Sequence, residues 1–236
     1  MRRGECRHKM HNNFLNKAMD DCSSGTIALL KDQSRLCIFK KGAFLYNQFD
    51  PSDCIYVIMD GCVIVERTNR SGDTTSYRIA TRGDYLGHRS YFAREPRSTA
   101  PRSMTDTHAL RIPGAALAQA TEMDPVVSLL FARELTRDDG PRLGAVIRSN
   151  RVLGITRLAY LLYHLHERLA SDNAADTVQL PFTQNDLANM LDLRKETISR
   201  LMHELQDLGV LRIVANPRRI VITDHAALTE IIHQDL

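Results

Sequence analysis

Apolar residues fall in short runs between turn residues from about Leu36 to Pro113, and in long helical stripes beyond it. The run Ile55-Tyr56-Val57-Ile58-Met59 is followed by Asp60-Gly61 and then by Cys62-Val63-Ile64-Val65. Asp-Gly between two such runs predicts a two-residue hairpin, because both turn residues must tolerate positive φ. Similar punctuation stands at Ser71-Gly72-Asp73 and Arg82-Gly83-Asp84. Strands recurring every ~8–12 residues predict a small all-β sandwich or barrel. Residues 1–26 are polar, carry Cys6, His8 and His11, show no strong periodicity and read as a partly ordered arm.

After Pro113 the period changes. Residues 115–120 predict a short helix, and a longer one starts at Asp124-Pro125, with Asp as N-cap and Pro in the first turn. Its stripe runs through Val127, Leu130, Phe131 and Leu135, then Leu143, Val146, Ile147 and Leu153. Gly140-Pro141 interrupts it and is expected to kink or break it. A second helix spans 155–169 and ends at Ser171-Asp172-Asn173. The last third reads helix, helix, two short strands and a final helix from Asp224.

The chemistry lies in that last third. Thr183 is a good N-cap, with Asp186 three residues on to complement it. Leu187, Met190 and Leu191 form an inner face, and Ala188 is small where a second helix must cross. Asp192-Leu193 is the predicted turn, since Asp tolerates the left-handed conformation. The second helix starts near Arg194, buries Ile198, Leu201, Met202, Leu205 and Leu208, and stops at Gly209. Its other face shows Lys195, Glu196, Ser199 and Arg200 within two turns. A DNA-reading helix enters the major groove in this way, presenting three or four side chains at base edges. Arg can grip guanine with two bonds, Glu can accept from cytosine, and Ser adapts. Apolar residues 210–214 and 220–222 flank Asn216-Pro217-Arg218-Arg219 as a hairpin whose cations would lie against phosphates.

Composition adds limits rather than direction. The balance of 31 basic and 28 acidic residues leaves a net charge of +3, too little to argue for a nucleic-acid partner by itself. No apolar run approaches the ~18 residues of a membrane span. The basic start is not followed by the apolar core of a secretory signal, so the expected location is the cytoplasm. The odd count of 5 cysteines argues against a disulfide framework. No nucleophile–base set, phosphate-cradling loop or zinc-protease helix is present, so no enzyme is expected.

Glu196-Thr197-Ile198-Ser199-Arg200 resembles the E-x-x-S-R reading motif of the Fnr and FixK branch of the Crp/Fnr superfamily of bacterial regulators. The resemblance extends over about residues 36–227, with Lys41-Gly42, Asp60-Gly61, Gly72-Asp73 and the stretch from Gly83 to Gly87 at the family's turns. It implies an α+β chain with a cyclic-nucleotide-binding-like β-roll, a long dimerisation helix and a C-terminal winged helix-turn-helix. The corresponding boundaries are an arm over 1–26, a sensor domain over 27–123, the dimer helix over 124–153 and the DNA-binding domain over 154–236. It further implies a homodimer on double-stranded DNA, contact with RNA polymerase through the turn around Asn69–Asp73, and a two-fold TTGAT-like site. Glu196 and Arg200 are assigned to its G·C pairs and Ser199 to an adjacent thymine. The DNA-contacting set is thus Thr183, Arg194, Lys195, Glu196, Ser199, Arg200, Arg218 and Arg219. Lys195 stands where the Crp branch has an Arg, and Gly140-Pro141 departs from a continuous coiled coil.

The effector stays open. A cyclic nucleotide would use Gly87, His88, Arg97 and Ser98, but His88 replaces the Glu that holds the ribose. An iron–sulfur cluster needs four thiolates. Cys6, Cys22 and Cys37 are candidates, yet Cys6 and Cys22 lie far apart, no C-x-x-C is present, and Leu110 stands where the late cysteine would fall. Cys54 and Cys62 read as small apolar core residues. Haem would use His88, Cys6 or His8 as axial ligand. The rival to a DNA reader is a ligand-binding module that acts through protein partners.

Overall fold

The computed structural model describes residues 19, 21–136, 146, 149, 151–169, 181–215 and 218–234, with the main chain alone at 77, 215, 218 and 219. The chain divides into two compact units, one mostly of strands and one mostly of helices.

In chain order the strand-rich part begins with α1 (Ser24–Gln33), then β1 (Arg35–Phe39), β2 (Cys54–Asp60), β3 (Val63–Thr68), β4 (Thr74–Ala80) and β5 (Tyr85–Leu86), of which residues 68–79 group with the second unit. It continues through α2 (His88–Ala93), β6 (Ala100–Ser103), β7 (Thr107–Pro113), α3 (Gly114–Met123) and α4 (Val126–Thr136). A 4-stranded sheet has the order β1-β7-β2-β5, and a 3-stranded sheet the order β4-β3-β6. In the first sheet Leu36 faces Leu110 and Ile55 faces Ile112. The period of two along each strand sends alternate residues to opposite faces. Ile55, Val57, Leu110 and Ile112 pack against Leu30 of α1, Ala116 and Leu117 of α3, and Val127 and Phe131 of α4. Cys54, Tyr56, Ile58 and Ala109 pack the other way, against Leu45, Val63, Val65, Ala80 and Leu86. A layer covers β2 on each side, which is why its apolar run does not alternate.

Asp60-Gly61 is not the expected hairpin. β2 and β3 belong to different sheets, so Gly61 turns the chain through a corner between layers. Its φ is 101°, and a Cβ there would stand 2.8 Å from the Asp106 carbonyl oxygen and 2.9 Å from Thr107 Cα. A corner and a hairpin make the same conformational demand, so the dipeptide alone does not separate them. The turn at 69–73, by contrast, joins β3 and β4 as an exposed loop closed by Asn69, whose Oδ1 accepts from Ser71 N and Asp73 N at 2.9 Å each.

Asp124 starts α4 by accepting from Val126 N at 3.1 Å. The same carboxylate accepts from Ser23 N at 2.7 Å and from Thr26 Oγ1 at 3.3 Å, tying the start of α1 to the α3–α4 junction. The Ser23 N–H is the main reason its carboxyl is held below the usual carboxylate range, with the Val126 N–H and the Ser23 and Thr26 hydroxyls adding to it. Ser23 caps α1, so residues 24–26 of the stretch read as an arm are helical. Cys6, His8 and His11 lie outside the described residues. The helix expected from 124 to 153 is helical over Val126–Thr136. Ser149 and residues 151–153 are not helical, and Gly140-Pro141, Leu143 and Ile147 lie outside the described residues. Leu135 and Leu129 are exposed on α4 rather than packed.

Besides residues 68–79, the second unit contains α5 (Gly154–Leu169), α6 (Gln184–Leu191), α7 (Lys195–Asp207), β8 (Leu211–Ala215), β9 (Arg218–Ile222) and α8 (His225–His233). Ser171-Asp172-Asn173 and Asn216-Pro217 lie outside the described residues. Asp224 caps α8, accepting from Ala227 N at 2.9 Å. The rings of His166 and His225 meet 4.2 Å apart where α5 packs on α8. Among the described residues no helix is long and apolar enough to cross a membrane.

Candidate nucleic-acid interface

The α6–α7 pair is built from local signals. Thr183 and Asp186 form a reciprocal capping box, with Asp186 N donating to Thr183 Oγ1 at 3.2 Å and Thr183 N to Asp186 Oδ2 at 2.8 Å. Leu187, Ala188, Met190 and Leu191 are buried on α6. Asp192 then takes the left-handed conformation at φ 51° and ψ 49°, which breaks the helix and turns the chain. Arg194 is the N-cap of α7 without a side-chain capping bond, and its side chain is exposed. Ile198, Leu201, Met202 and Leu205 face inward. Gly209, at φ 73°, ends the run, and Val210 N donates back to Leu205 O at 3.0 Å. Leu208, expected inside, is 59% exposed because the chain has already left the helical register.

Lys195, Glu196 and Arg200 are exposed and Ser199 is half-buried, on the side of α7 away from its apolar stripe. Arg200 lies 4.0 Å from Glu204 one turn on, a loose exposed pair that leaves its donors available. The face therefore offers an acceptor, a hydroxyl and a guanidinium fork within little more than one turn, the set that discriminates bases in a major groove. β8 and β9 pair antiparallel, with Val214 opposite Arg219 and Ala215 opposite Arg218. This register puts both arginines at the hairpin's far end, as the sequence implied. Arg212 on β8 is a further exposed cation that the sequence reading did not single out.

The residues grouped as an effector pocket separate. Arg97 is 1% exposed, donates from Nη1 to Gly87 O at 2.7 Å and from Nη2 to Cys54 O, and lies 4.4 Å from the centre of the Tyr46 ring. Its main chain also clasps the neighbouring loop, with Phe49 N donating to Arg97 O at 2.8 Å and Arg97 N to Asp50 O at 2.9 Å. Only glycine fits opposite, since a Cβ at 87 would stand 2.1 Å from Arg97 Nη1. His88 is 3% exposed and goes to the other side of the sheet, its ring 6.5 Å from Tyr85 and 6.4 Å from Phe131 of α4. Ser98 is exposed.

The cysteines separate too. Cys22 packs in the helix-facing cluster and Cys37 against the cluster between the sheets, while Cys54 and Cys62 are buried core residues. Burial pushes the Cys37 and Cys54 thiols above their ordinary value, against the pull of nearby arginines. That disfavours the thiolate that a cluster requires. Among the described residues no group of three or more His, Cys, Asp or Glu side chains is placed to hold a metal.

Two known families match the chain: the cyclic nucleotide-binding domain over residues 36–124 and the Crp-like helix-turn-helix domain over residues 156–231. The chain is 25% identical over 207 residues to the CRP-like cAMP-activated global transcriptional regulator of Mycobacterium tuberculosis, covering 86% of this chain and 90% of that one. It is 26% identical over 199 residues to the nitrogen fixation regulation protein FixK of Bradyrhizobium diazoefficiens, covering 82% of each. The solved structure of FixK2 from Bradyrhizobium japonicum shares the fold, with a TM-score of 0.71 at 23% identity over 84% of this chain and 96% of that one. The first domain's name implies a cyclic nucleotide, but the residues here do not fit one. Arg97 is buried with Nη1 on Gly87 O and Nη2 on Cys54 O, and His88 faces Tyr85 and Phe131 rather than Arg97. The relatives are regulators of transcription rather than enzymes. With one domain matched to the sensor of such regulators and the other to their helix-turn-helix, the chain belongs to the Crp/Fnr family of DNA-binding transcription regulators.

Proposed function

We propose that the protein acts in the cytoplasm as a homodimer that reads a two-fold TTGAT-like site, with Glu196 and Arg200 on its G·C pairs and Ser199 on the adjacent thymine. Arg194, Lys195 and the N-terminus of α6 at Thr183 border the same groove, and Arg218 and Arg219 lie against phosphates. One observation carries this reading: the start of α7 presents Lys195, Glu196 and Arg200 to solvent while Ile198, Leu201, Met202 and Leu205 anchor it from behind. Exposed Leu129 and Leu135 on α4 suit pairing with a second copy, and the turn at 69–73 is the surface offered to RNA polymerase. The effector is a ligand other than a cyclic nucleotide, because Arg97 is already engaged by carbonyl oxygens.

The test is binding to a duplex with two inverted TTGAT half-sites centred one helical turn apart, against a scrambled duplex. Arg200→Ala is expected to lose ~1–3 kcal/mol of discrimination at one base pair. Arg218→Ala should weaken both duplexes alike and reduce the salt slope by about one. A parent protein that does not distinguish the duplexes would favour the rival, a module acting through protein partners. Titration with cyclic AMP is expected to give no heat. A saturable signal would restore the nucleotide reading.

A further inference from the structure

α5 meets the helix-turn-helix through its first turn. Gly154 lies so near α7 that a Cβ there would stand 3.3 Å from Leu201 Cδ1 and 3.9 Å from Leu193 Cδ1 in the turn. One turn further, Arg157 is 6% exposed although it carries a charge. Its Nη2 donates to the carbonyl of Leu191, the last residue of α6. Burial lowers its pKa, and the Asp192 carboxylate pulls in the opposite direction. The final carbonyls of a helix lack intrahelical donors and carry its partial negative charge. Here Asp192 N and Leu193 N both return to Ala188 O, so Leu191 O takes its donor from another helix. A planar guanidinium makes that link directional.

We propose that Arg157 is a positioning residue for DNA reading: by joining α5 to the last carbonyl of α6, it fixes the angle at which α7 leaves the turn. The proposal rests on the reading of bases by Glu196, Ser199 and Arg200. α7 rises about 1.5 Å per residue, so Arg200 stands on the order of 10 Å from the turn. A tilt of roughly 6° there displaces it by about 1 Å, enough to spoil a two-bond contact to a base. Phosphate contacts tolerate such a shift, since they are sequence-independent.

The experiment compares the parent with Arg157→Met, which keeps the apolar stem and removes the donors, and with Arg157→Lys. Each is titrated against the inverted TTGAT duplex and the scrambled duplex at a temperature where circular dichroism shows it folded. Arg157→Met is expected to lower the ratio of the two affinities roughly tenfold, the effect of one misplaced base contact. Its affinity for the scrambled duplex and the salt slope should not change, and Arg157→Lys should recover part of the ratio. An unchanged ratio, or both affinities falling together, overturns the positioning role. Should Arg157→Met fail to fold, Arg157→Gln keeps a polar end on a stem too short to reach the Leu191 carbonyl in the same way, and its ratio should fall in the same direction. A parent without any preference overturns the reading by α7 and this proposal with it, whereas a preference that survives every variant overturns Arg157 alone.

Discussion

Arg97 and Arg200 carry the same guanidinium in settings that give it opposite uses. In the strand-built unit, the segment from Gly87 to Arg97 buries His88, Ser90 and Arg97, and Arg97 is engaged by two main-chain carbonyls. In the helical unit, the start of α7 turns its polar side chains outward and buries only apolar ones. The difference separates residue type from availability. An arginine at the family's ligand position is no open ligand site when it is buried against main-chain carbonyls, and an arginine with only a loose exposed pair can still reach a base.

Three substitutions test that contrast on stability, beside the DNA titrations. Arg97→Met should cost most, on the order of 3 kcal/mol, since it leaves Gly87 O and Cys54 O without their charged donor. The denaturant midpoint measures it, and a loss below about 1 kcal/mol would break the contrast. Asp124→Asn should have a smaller effect with a pH signature. The bound carboxyl is held below the usual range, so the unfolded chain takes up its proton first as pH falls. The stabilisation is complete above the ordinary carboxylate pKa and lost as pH falls through that range and below it. The variant should be less stable at neutral pH and show a flatter acid limb, and parallel limbs would discount the double cap. Leu208→Ser should do least, within about 0.5 kcal/mol, because that side chain is 59% exposed.

The helix-turn-helix was legible because its signals are local. Thr183 with Asp186, Asp192 in the turn and Gly209 at the stop each act within four residues of themselves. The roll was legible only as a count of strands. Its pairings join β1 to β7 and β3 to β6, and an apolar run does not name its partner. Asp60-Gly61 misled because positive φ serves a corner as well as a hairpin. The sequence could not say that His88 and Arg97 would leave the sheet on opposite sides, since a single turn decides it. Arg157 did leave a signal, a charge among Leu158, Leu161 and Leu165 on the buried side of α5, but not its destination at Leu191.

The partnership of β1 with β7 also sets a timetable. The first strand cannot close its ladder until Thr107–Pro113 has been made, so during synthesis it waits with unpaired amides while most of the sensor emerges. Chains dominated by such distant partners assemble slowly and expose sticky edges meanwhile. In the reading unit α6 and α7 meet across a turn of a few residues, although α5 too must wait for α8, and a ribosome-stalled fragment ending before β7 should be held by chaperones rather than folded.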